Sequence, residues 1–229
     1  MDTRDQTFRD KAAYTLAEAA RYLKLPPATL RSWVVGRPYA TRKGDARHFR
    51  PLIQPSVKAP PTLSFYNLIE AHVLRSLRTE HGVAVRELRK AIAYAEKTLK
   101  VDRLLLRKDL STHGGRVFLD EYGKLIKLTA SGQLAMRVLL EEHLQRVEWD
   151  KWQFPVRLYP FVSGQTLAPK PIAIDPQIAF GRPVVIRAGV STAVIAERID
   201  AEESPQDVAA DYDLTLQEVE QAVLYERAA

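Results

Sequence analysis

The spacing of apolar residues near the start of the chain predicts two short helices joined by a tight turn. Four apolar residues recur at helical spacing in the first of them: Leu16, Ala19, Ala20 and Leu23. Thr15, followed three residues later by Glu18, forms a capping box that begins this helix. Pro26-Pro27 ends it and allows another helix to start, because proline is tolerated in a first helical turn. The pattern is typical of a helix-turn-helix.

The second helix of this pair has one apolar face and one polar face. Leu30 and Trp33 fall on the apolar face, whereas Thr29, Arg31 and Ser32 fall on the polar face. A helix with small, polar and basic residues on its outer face is typical of those that enter a DNA major groove. We therefore predict that these three polar residues contact DNA. The alternative is a pair of amphipathic helices with no role in DNA binding.

A basic segment follows this helix directly. Such side chains bind phosphates and supply much of the affinity of DNA-binding proteins. We expect phosphate contacts from five residues: Arg37, Arg42, Lys43, Arg47 and Arg50. A solvated basic loop is the alternative interpretation.

The middle of the chain combines helical periodicity with one extended stretch. Apolar spacing predicts helices over 65–79, 85–99 and 133–149. The stretch 116–127 is typical of a β-hairpin with Gly123 in its turn, and His113-Gly114-Gly115 is expected to form a tight turn. Residues 150–172 are expected to be irregular, with aromatic side chains that pack on a domain; a partner-binding segment is the alternative.

The last part of the chain is predicted to be a small unit of its own. Two short strands are followed by three helices, which begin at Ser191, Ser204 and Thr215. Eight apolar residues are expected to form its core: Val208, Ala209, Tyr212, Leu214, Leu216, Val219, Val223 and Leu224. The arrangement resembles a helix-turn-helix, but the last helix displays acidic and amide side chains: Gln217, Glu218, Glu220, Gln221 and Glu226. Carboxylates repel phosphates, so we predict protein contact here, or else a structural or dimerisation module.

These elements predict a mainly α fold with small β-hairpins. Residues 1–62 are expected to form a winged helix-turn-helix, and residues 63–150 a central region of helices plus a hairpin. Residues 151–171 are expected to be an aromatic linker, and residues 172–229 an acidic, three-helix, helix-turn-helix-like domain.

The charge of the chain is divided unevenly along its length. The chain has 229 residues and a net charge of +6. Residues 1–150 hold 27 basic and 17 acidic residues, whereas residues 189–229 hold 2 basic and 10 acidic ones. A basic front favours a polyanion, and an acidic end suits a protein partner better.

The sequence offers no set of residues for catalysis. There is no cysteine, which excludes disulfides and thiolate metal sites. The five histidines are scattered without metal-ligand spacing, and no phosphate-binding glycine loop is present. We therefore expect no enzyme activity, no metal and no cofactor. No apolar run has the length of a membrane span and no targeting segment is visible, so a cytoplasmic location is expected.

Several short motifs carry a resemblance to known families. They are Ile174-Asp175-Pro176, Phe180-Gly181-Arg182-Pro183-Val184, Val194-Ile195-Ala196-Glu197-Arg198, Val208-Ala209-Ala210-Asp211-Tyr212 and the run from Val219 to Glu226. The C-terminal part resembles a small domain of bacterial VapB-type antitoxins, formerly of unknown function. The N-terminal part resembles the MerR-like winged helix-turn-helix class. Arg187-Ala188-Gly189-Val190 departs from the Gly-Thr-Arg-Ile-like segment usual in such antitoxins.

The resemblance implies an antitoxin that neutralises a PIN-domain ribonuclease toxin and represses its own operon by binding promoter DNA. Its partners would be operator DNA and the toxin, in a homodimer or in a hetero-tetramer with the toxin. The candidate toxin contacts are Arg157, Tyr159, Phe161, Arg182, Arg187 and Glu218. One of the three arginines could enter the acidic metal site of the toxin. The alternative is a stand-alone MerR-like transcription regulator with a C-terminal dimerisation or ligand-binding domain.

Overall fold

The described part of the chain is mostly helical, with three antiparallel sheets of two, three and five strands. The main hydrophobic core forms one cluster that extends from Tyr14 to Ile174, and a second cluster lies among the C-terminal helices. A computed structural model describes residues 8–40, 46–49, 51–78, 85–111, 113–126, 130–160 and 170–228. Within these ranges no helix combines the length and the apolar character that crossing a bilayer requires.

The N-terminal helix pair forms as its capping pattern predicts. Helix α1 spans Leu16–Leu23 and helix α2 spans Pro27–Val34, with proline in its first turn. Thr15 Oγ1 accepts a hydrogen bond from the backbone N–H of Glu18 at 3.2 Å, and the Glu18 carboxylate accepts one from the Thr15 N–H at 2.9 Å. The predicted capping box is therefore confirmed. Lys24, with φ of 52°, ends α1 in the left-handed conformation.

Two small sheets accompany the helix pair. They are built from five strands: β1 (Tyr14–Thr15), β2 (Arg37–Ala40), β3 (Ala46–Phe49), β4 (Val57–Lys58) and β5 (Pro61–Leu63). Strands β2 and β3 pair directly after α2, whereas β5 lies between β1 and β4. The N–H groups of Leu52 and Ile53 donate to the Trp33 carbonyl at 2.7 and 3.1 Å, which fixes the chain against α2 after the hairpin.

Four helices form the centre of the molecule: α3 (Phe65–Arg78), α4 (Val85–Leu99), α5 (His113–Ile126) and α6 (Ala130–Leu144). Every side chain from 65 to 74 is buried, so α3 is the central helix of the core. The predicted helices at 65–79 and 85–99 are confirmed. The third predicted helix, at 133–149, ends earlier at Leu144, and its last residues form a strand instead.

The predicted hairpin at 116–127 is wrong, because residues 116–126 belong to α5. Phe118 and Leu119 are buried, so successive apolar residues here face a helical core rather than alternate faces of a strand. Gly123 lies inside the helix, where a Cβ would press on the Gln133 side chain of α6. The glycine therefore permits close helix packing and does not mark a turn. The expected tight turn at His113-Gly114-Gly115 is instead the beginning of α5.

A five-stranded antiparallel sheet joins the central and C-terminal parts. Its strands are β6 (Val147–Trp149), β7 (Pro155–Leu158), β8 (Ile172–Ile174), β9 (Pro183–Val185) and β10 (Val190–Ser191). Their order in the sheet is β10-β9-β8-β7-β6. Residues 150–172 are therefore not irregular throughout, since β7 lies in the stretch expected to be a linker. The Asp150 carboxylate accepts the N–H groups of Trp152 and Phe154 at 2.9 Å and so forms the turn between β6 and β7.

Three helices complete the chain: α7 (Thr192–Asp200), α8 (Pro205–Asp211) and α9 (Leu216–Arg227). The Ser204 hydroxyl caps α8, and a second capping box at Thr215 begins α9, both as predicted. Ser191 occupies the N-cap position of α7 without a side-chain hydrogen bond. Two residues expected in the core are instead exposed, Leu216 by 51% and Leu224 by 44%.

Candidate DNA and partner interfaces

Helix α2 presents one basic side chain to solvent above a buried apolar face. Leu30 and Trp33 are fully buried, whereas the side chain of Arg31 is exposed and makes no hydrogen bond or ion pair within the described ranges. Thr29 and Ser32 are half-buried, and the Ser32 hydroxyl donates to the Thr29 carbonyl at 2.7 Å. Arg31 is therefore the side chain of this face most available to a ligand.

The hairpin of β2 and β3 follows α2 closely in sequence. Arg37 begins β2 and pairs in register with Phe49, and Arg47 of β3 pairs with Tyr39. In chain order the hairpin stands where the wing of a winged helix-turn-helix is expected. The other predicted phosphate contacts lie outside the described residues: Arg42, Lys43 and Arg50.

Two of the predicted partner contacts, Arg157 and Tyr159, meet in a network across the five-stranded sheet. Arg157 donates to Asp175 at 2.8 Å and to Glu148 at 2.9 Å, and the Tyr159 hydroxyl donates to the same Glu148 at 2.9 Å. Burial disfavours the charge of Arg157, but its hydrogen bonds to Tyr159 and Asp175 outweigh this and raise its pKa. Arg157 of β7 therefore connects Glu148 of β6 with Asp175, which follows β8 directly.

Two further predicted contacts, Arg187 and Glu218, pair with each other. The Arg187 guanidinium donates to the Glu218 carboxylate at 3.1 Å and to Asp213 at 3.2 Å. The hydrogen bond from Arg187 is the main cause that lowers the pKa of Glu218, whose side chain is only 16% exposed. Glu218 also completes the capping box of α9. Both residues thus act within the C-terminal unit.

The acidic face predicted for the last helix is only partly exposed. Gln221 is buried, and Glu226 accepts a hydrogen bond from the Thr192 hydroxyl of α7. Sequence spacing places these residues on an outer face, but α7 and α1 cover that side of α9. Gln217 and Glu220 remain exposed as predicted.

Arg182 differs from the other predicted partner contacts. Its side chain is exposed and forms no hydrogen bond or ion pair with another residue that the structure describes. The pKa of Glu18 is lowered mainly by the hydrogen bond from the Thr15 backbone N–H, and the positive charge of Arg182 lowers it further. Arg182 therefore lies close to the start of α1. Phe161, the sixth candidate, lies outside the described residues.

The C-terminal unit contacts the helix-turn-helix along α1, which the sequence did not predict. Tyr225 of α9 is fully buried, and its hydroxyl donates to the Tyr22 carbonyl at 2.8 Å. The Lys24 ammonium lies 4.1 Å from the centroid of the Tyr225 ring, and Arg21 lies 3.9 Å from Glu226. Burial raises the pKa of Tyr225 and lowers that of Lys24. No sequence signal links residues 203 positions apart.

Two histidines that are distant in sequence meet in the core. The rings of His72 and His143 lie 5.0 Å apart. His72 Nε2 lies 3.0 Å from the His143 carbonyl, and His143 Nδ1 lies 2.9 Å from the Leu139 carbonyl. Burial lowers both pKa values, that of His143 to about 4, so both rings are neutral at pH 7. No group of three or more metal-ligating side chains occurs in the part of the chain that the structure describes.

Comparison with known proteins gives matches at both ends of the chain. Residues 12–92 match the family described as "Putative DNA-binding HTH domain". Residues 172–225 match the family described as "Protein of unknown function (DUF433)". Together the two matches cover the helix-turn-helix with its hairpin and the C-terminal unit.

Three proteins of Mycobacterium tuberculosis are similar over nearly the whole chain. "Putative antitoxin VapB45" is 29% identical, with 93% of each chain covered. "Uncharacterized protein Rv2308" is 25% identical, with 94% of this chain and 90% of the relative covered. The protein Rv2018, whose crystal structure is known, is 24% identical in sequence. Its structure aligns with 93% of this chain and 98% of its own at a TM-score of 0.68, so the fold is shared.

Proposed function

We propose that this protein is an antitoxin that binds promoter DNA through α2 and neutralises a PIN-domain ribonuclease toxin through its C-terminal unit. One observation carries the proposal. An exposed Arg31, without a partner in the described ranges, lies on a helix-turn-helix within a chain similar over 93% of its length to a protein named as an antitoxin. The proposed role is regulatory and includes no catalytic step.

In the proposed DNA complex, α2 lies in the major groove. Arg31 and Thr29 contact base edges, and Ser32 lies beside them. The hairpin after α2 supplies phosphate contacts, which position the protein without reading sequence, through Arg37, Arg42, Lys43, Arg47 and Arg50. One short helix reads few base pairs, so we propose a homodimer on paired half-sites that represses its own operon.

The change Arg31→Ala tests the DNA half of the proposal. We expect operator affinity to fall by about 1–3 kcal/mol and sequence preference to relax, because a base contact is lost. A gel-shift titration with the DNA upstream of this chain's reading frame measures the effect. Arg116→Ala, which removes an exposed arginine of α5, is the matched control. Equal affinity of the Arg31 variant and the wild type would refute the base contact.

For the toxin half, Arg182 is the strongest of the three candidate arginines. A metal-dependent ribonuclease holds its metal with carboxylates, and a cation can occupy such a site. Arg157 and Arg187 are already ion-paired with carboxylates of this chain. If either one left to enter a partner, it would leave its carboxylates uncompensated, whereas Arg182 breaks no such pair.

Neutralisation is tested with the product of the reading frame adjacent to this chain's own. We expect the two proteins to co-purify and the ribonuclease activity to be inhibited. Arg182→Ala should weaken inhibition roughly tenfold, whereas Arg157→Ala and Arg187→Ala retain most of it. Unchanged potency in all three variants would exclude arginine insertion, and absence of any complex would exclude the antitoxin role.

A cleft beside the helix-turn-helix favours a second candidate function. It has a volume of about 750 Å³ and is lined by six charged residues: Asp10, Glu70, Arg89, Glu96, Asp102 and Arg103. Such a cleft suits a stand-alone, MerR-like regulator that binds a small charged ligand. DNA binding that responds to a small molecule, in a protein that captures no toxin, would support this alternative.

A further inference from the structure

The turn between β8 and β9 holds three successive residues in the left-handed conformation. The φ angle is 47° at Ala179, 55° at Phe180 and 76° at Gly181. Glycine adopts this conformation at little cost, but a Cβ crowds the backbone there in other residues. The turn is therefore strained at two positions that are not glycine.

Backbone hydrogen bonds and packing against the N-terminal core hold the turn in this strained conformation. The Ile178 N–H donates to the Asp175 carbonyl at 3.0 Å, and the Gly181 N–H donates to the Ile178 carbonyl at 2.9 Å. Asp175 is buried and ion-paired with Arg157 at 2.8 Å. A Cβ at Gly181 would collide with the Tyr14 hydroxyl, so the turn lies directly against the N-terminal core.

The side chain at the strained position contributes almost nothing to the fold. Phe180 is 91% exposed, whereas the other exposed large hydrophobic residues in the described ranges are 37–62% exposed. The Arg182 side chain, two residues later, is exposed and forms no hydrogen bond or ion pair with those residues. The turn thus exposes an aromatic ring and a cation two residues apart in the chain. We call residues 179–182 the Phe180 turn.

The Phe180 turn differs from an ordinary surface turn because its backbone is strained while its largest side chain is exposed. Single exposed hydrophobic side chains are common and need no explanation. A backbone outlier that the surrounding fold maintains is characteristic of functional sites. Aromatic residues and arginine are the types most enriched among the residues that dominate binding energy at protein interfaces.

On the basis of the antitoxin function proposed above, we propose that Phe180 is the anchor by which this protein docks on its toxin. The ring enters an apolar pocket of the toxin, and Arg182 pairs with carboxylates at the rim of that pocket. The positive charge of Arg182, which makes no ion pair within the described ranges, is complementary to the metal-binding carboxylates of a ribonuclease. The rigid turn pre-organises both side chains, so little conformational entropy is lost on binding.

DNA is a less suitable partner for the Phe180 turn. An exposed aromatic residue can wedge between bases in a minor groove, and the turn lies beside the helix-turn-helix. However, the turn belongs to a unit whose residues 189–229 carry 10 acidic and only 2 basic residues. This charge repels phosphates, which favours a protein partner.

The change Phe180→Gly tests the proposal because it removes the ring and relieves the backbone strain together. We expect affinity for the product of the adjacent reading frame, measured by calorimetry on the full-length chain, to fall at least about tenfold. Resistance to denaturant should stay equal or rise, because glycine accepts the positive φ. Phe180→Asn, which also tolerates this conformation, should weaken binding to the same extent.

Leu216→Ala is the matched control, since it truncates another exposed hydrophobic residue of the C-terminal unit, and it should bind within twofold of the wild type. Wild-type binding with an unaffected Phe180→Gly variant would overturn the anchor alone. Failure of the wild type to bind would overturn the antitoxin function and the anchor with it. A Phe180→Gly variant that loses operator affinity but keeps the complex would identify a DNA wedge and refute the anchor.

Discussion

Two helices of this protein begin with the same capping device in different surroundings. At α1, the Thr15 N–H donates to Glu18 at 2.9 Å, and the Glu18 N–H donates to Thr15 Oγ1 at 3.2 Å. At α9, the matching distances between Thr215 and Glu218 are 2.8 and 3.2 Å. Sequence and local geometry are nearly the same at the two ends of the chain.

The surroundings of the two glutamates differ. Glu218 accepts hydrogen bonds from Arg187 of its own unit, and Glu226, two turns later in α9, accepts one from Thr192. At the N-terminus, by contrast, α2, the helix after the capped α1, leaves the Arg31 side chain exposed and without an ion pair within the described ranges. The comparison shows that a local motif specifies where a helix begins, whereas long-range contacts decide which charges remain free for a partner.

The largest expected effect comes from the core of the N-terminal pair. Trp33→Ala removes a fully buried indole and should lower the free energy of unfolding by about 3–5 kcal/mol. Denaturant unfolding measures the loss. Because α9 contacts α1, we also expect the amide protons of α9 to exchange faster in this variant. Unchanged protection of α9 would show that the two regions unfold independently.

The contact between the two regions gives the next effect. Tyr225→Phe removes the hydroxyl that donates to the Tyr22 carbonyl and should lower the free energy of unfolding by about 1–2 kcal/mol, because a buried acceptor loses its donor. Tyr94→Phe, on the exposed side of α4, is the control and should be neutral. Equal stabilities of the two variants in denaturant would mean that the Tyr225 contact does not hold the regions together.

The sequence predicted the elements that depend on local chemistry. Both capping boxes, the proline start of α2 and the serine cap of α8 follow from the residues beside them. The exposed position of Arg31 follows from helical periodicity alone. These features need no information from distant parts of the chain.

The elements that depend on distant contacts could not be predicted in this way. Gly123 of α5 permits close packing against Gln133. In the sequence alone this glycine indicated a turn, which is why the hairpin prediction was wrong. Strand β7 is recognisable only from its pairing with β6 and β8. The pairing of Arg187 with Glu218 places two candidate partner contacts within one intramolecular ion pair.

Removing each cap compares the two helix starts directly. Thr15→Ala and Thr215→Ala should each cost about 1 kcal/mol, because each leaves one backbone N–H of the first turn without its acceptor. Thermal unfolding of the two variants in parallel measures the costs. A difference of more than about twofold would show that the two capping boxes are not equivalent.

The smallest expected effect concerns the pKa values of Glu18 and Glu218, which are lowered by different groups. The pKa of each lies below 4.5, mainly through the Thr15 backbone hydrogen bond for Glu18 and through Arg187 for Glu218. Their stabilisation is therefore present above the unfolded pKa and is lost as the pH falls through the lower folded value. Arg187→Gln should raise the pKa of Glu218 and leave that of Glu18 unchanged in an NMR titration. A shift of both, or of neither, would contradict this assignment.

We propose that one region of this protein binds DNA while the other binds a toxin. A gel-shift titration with operator DNA, this protein and the product of the adjacent reading frame tests it most directly. We expect Arg31→Ala to lose the DNA-bound band and still bind the toxin. We expect Phe180→Gly to keep the DNA-bound band and lose the slower band that contains all three components. Loss of both activities in either variant, or the opposite assignment, would contradict the account.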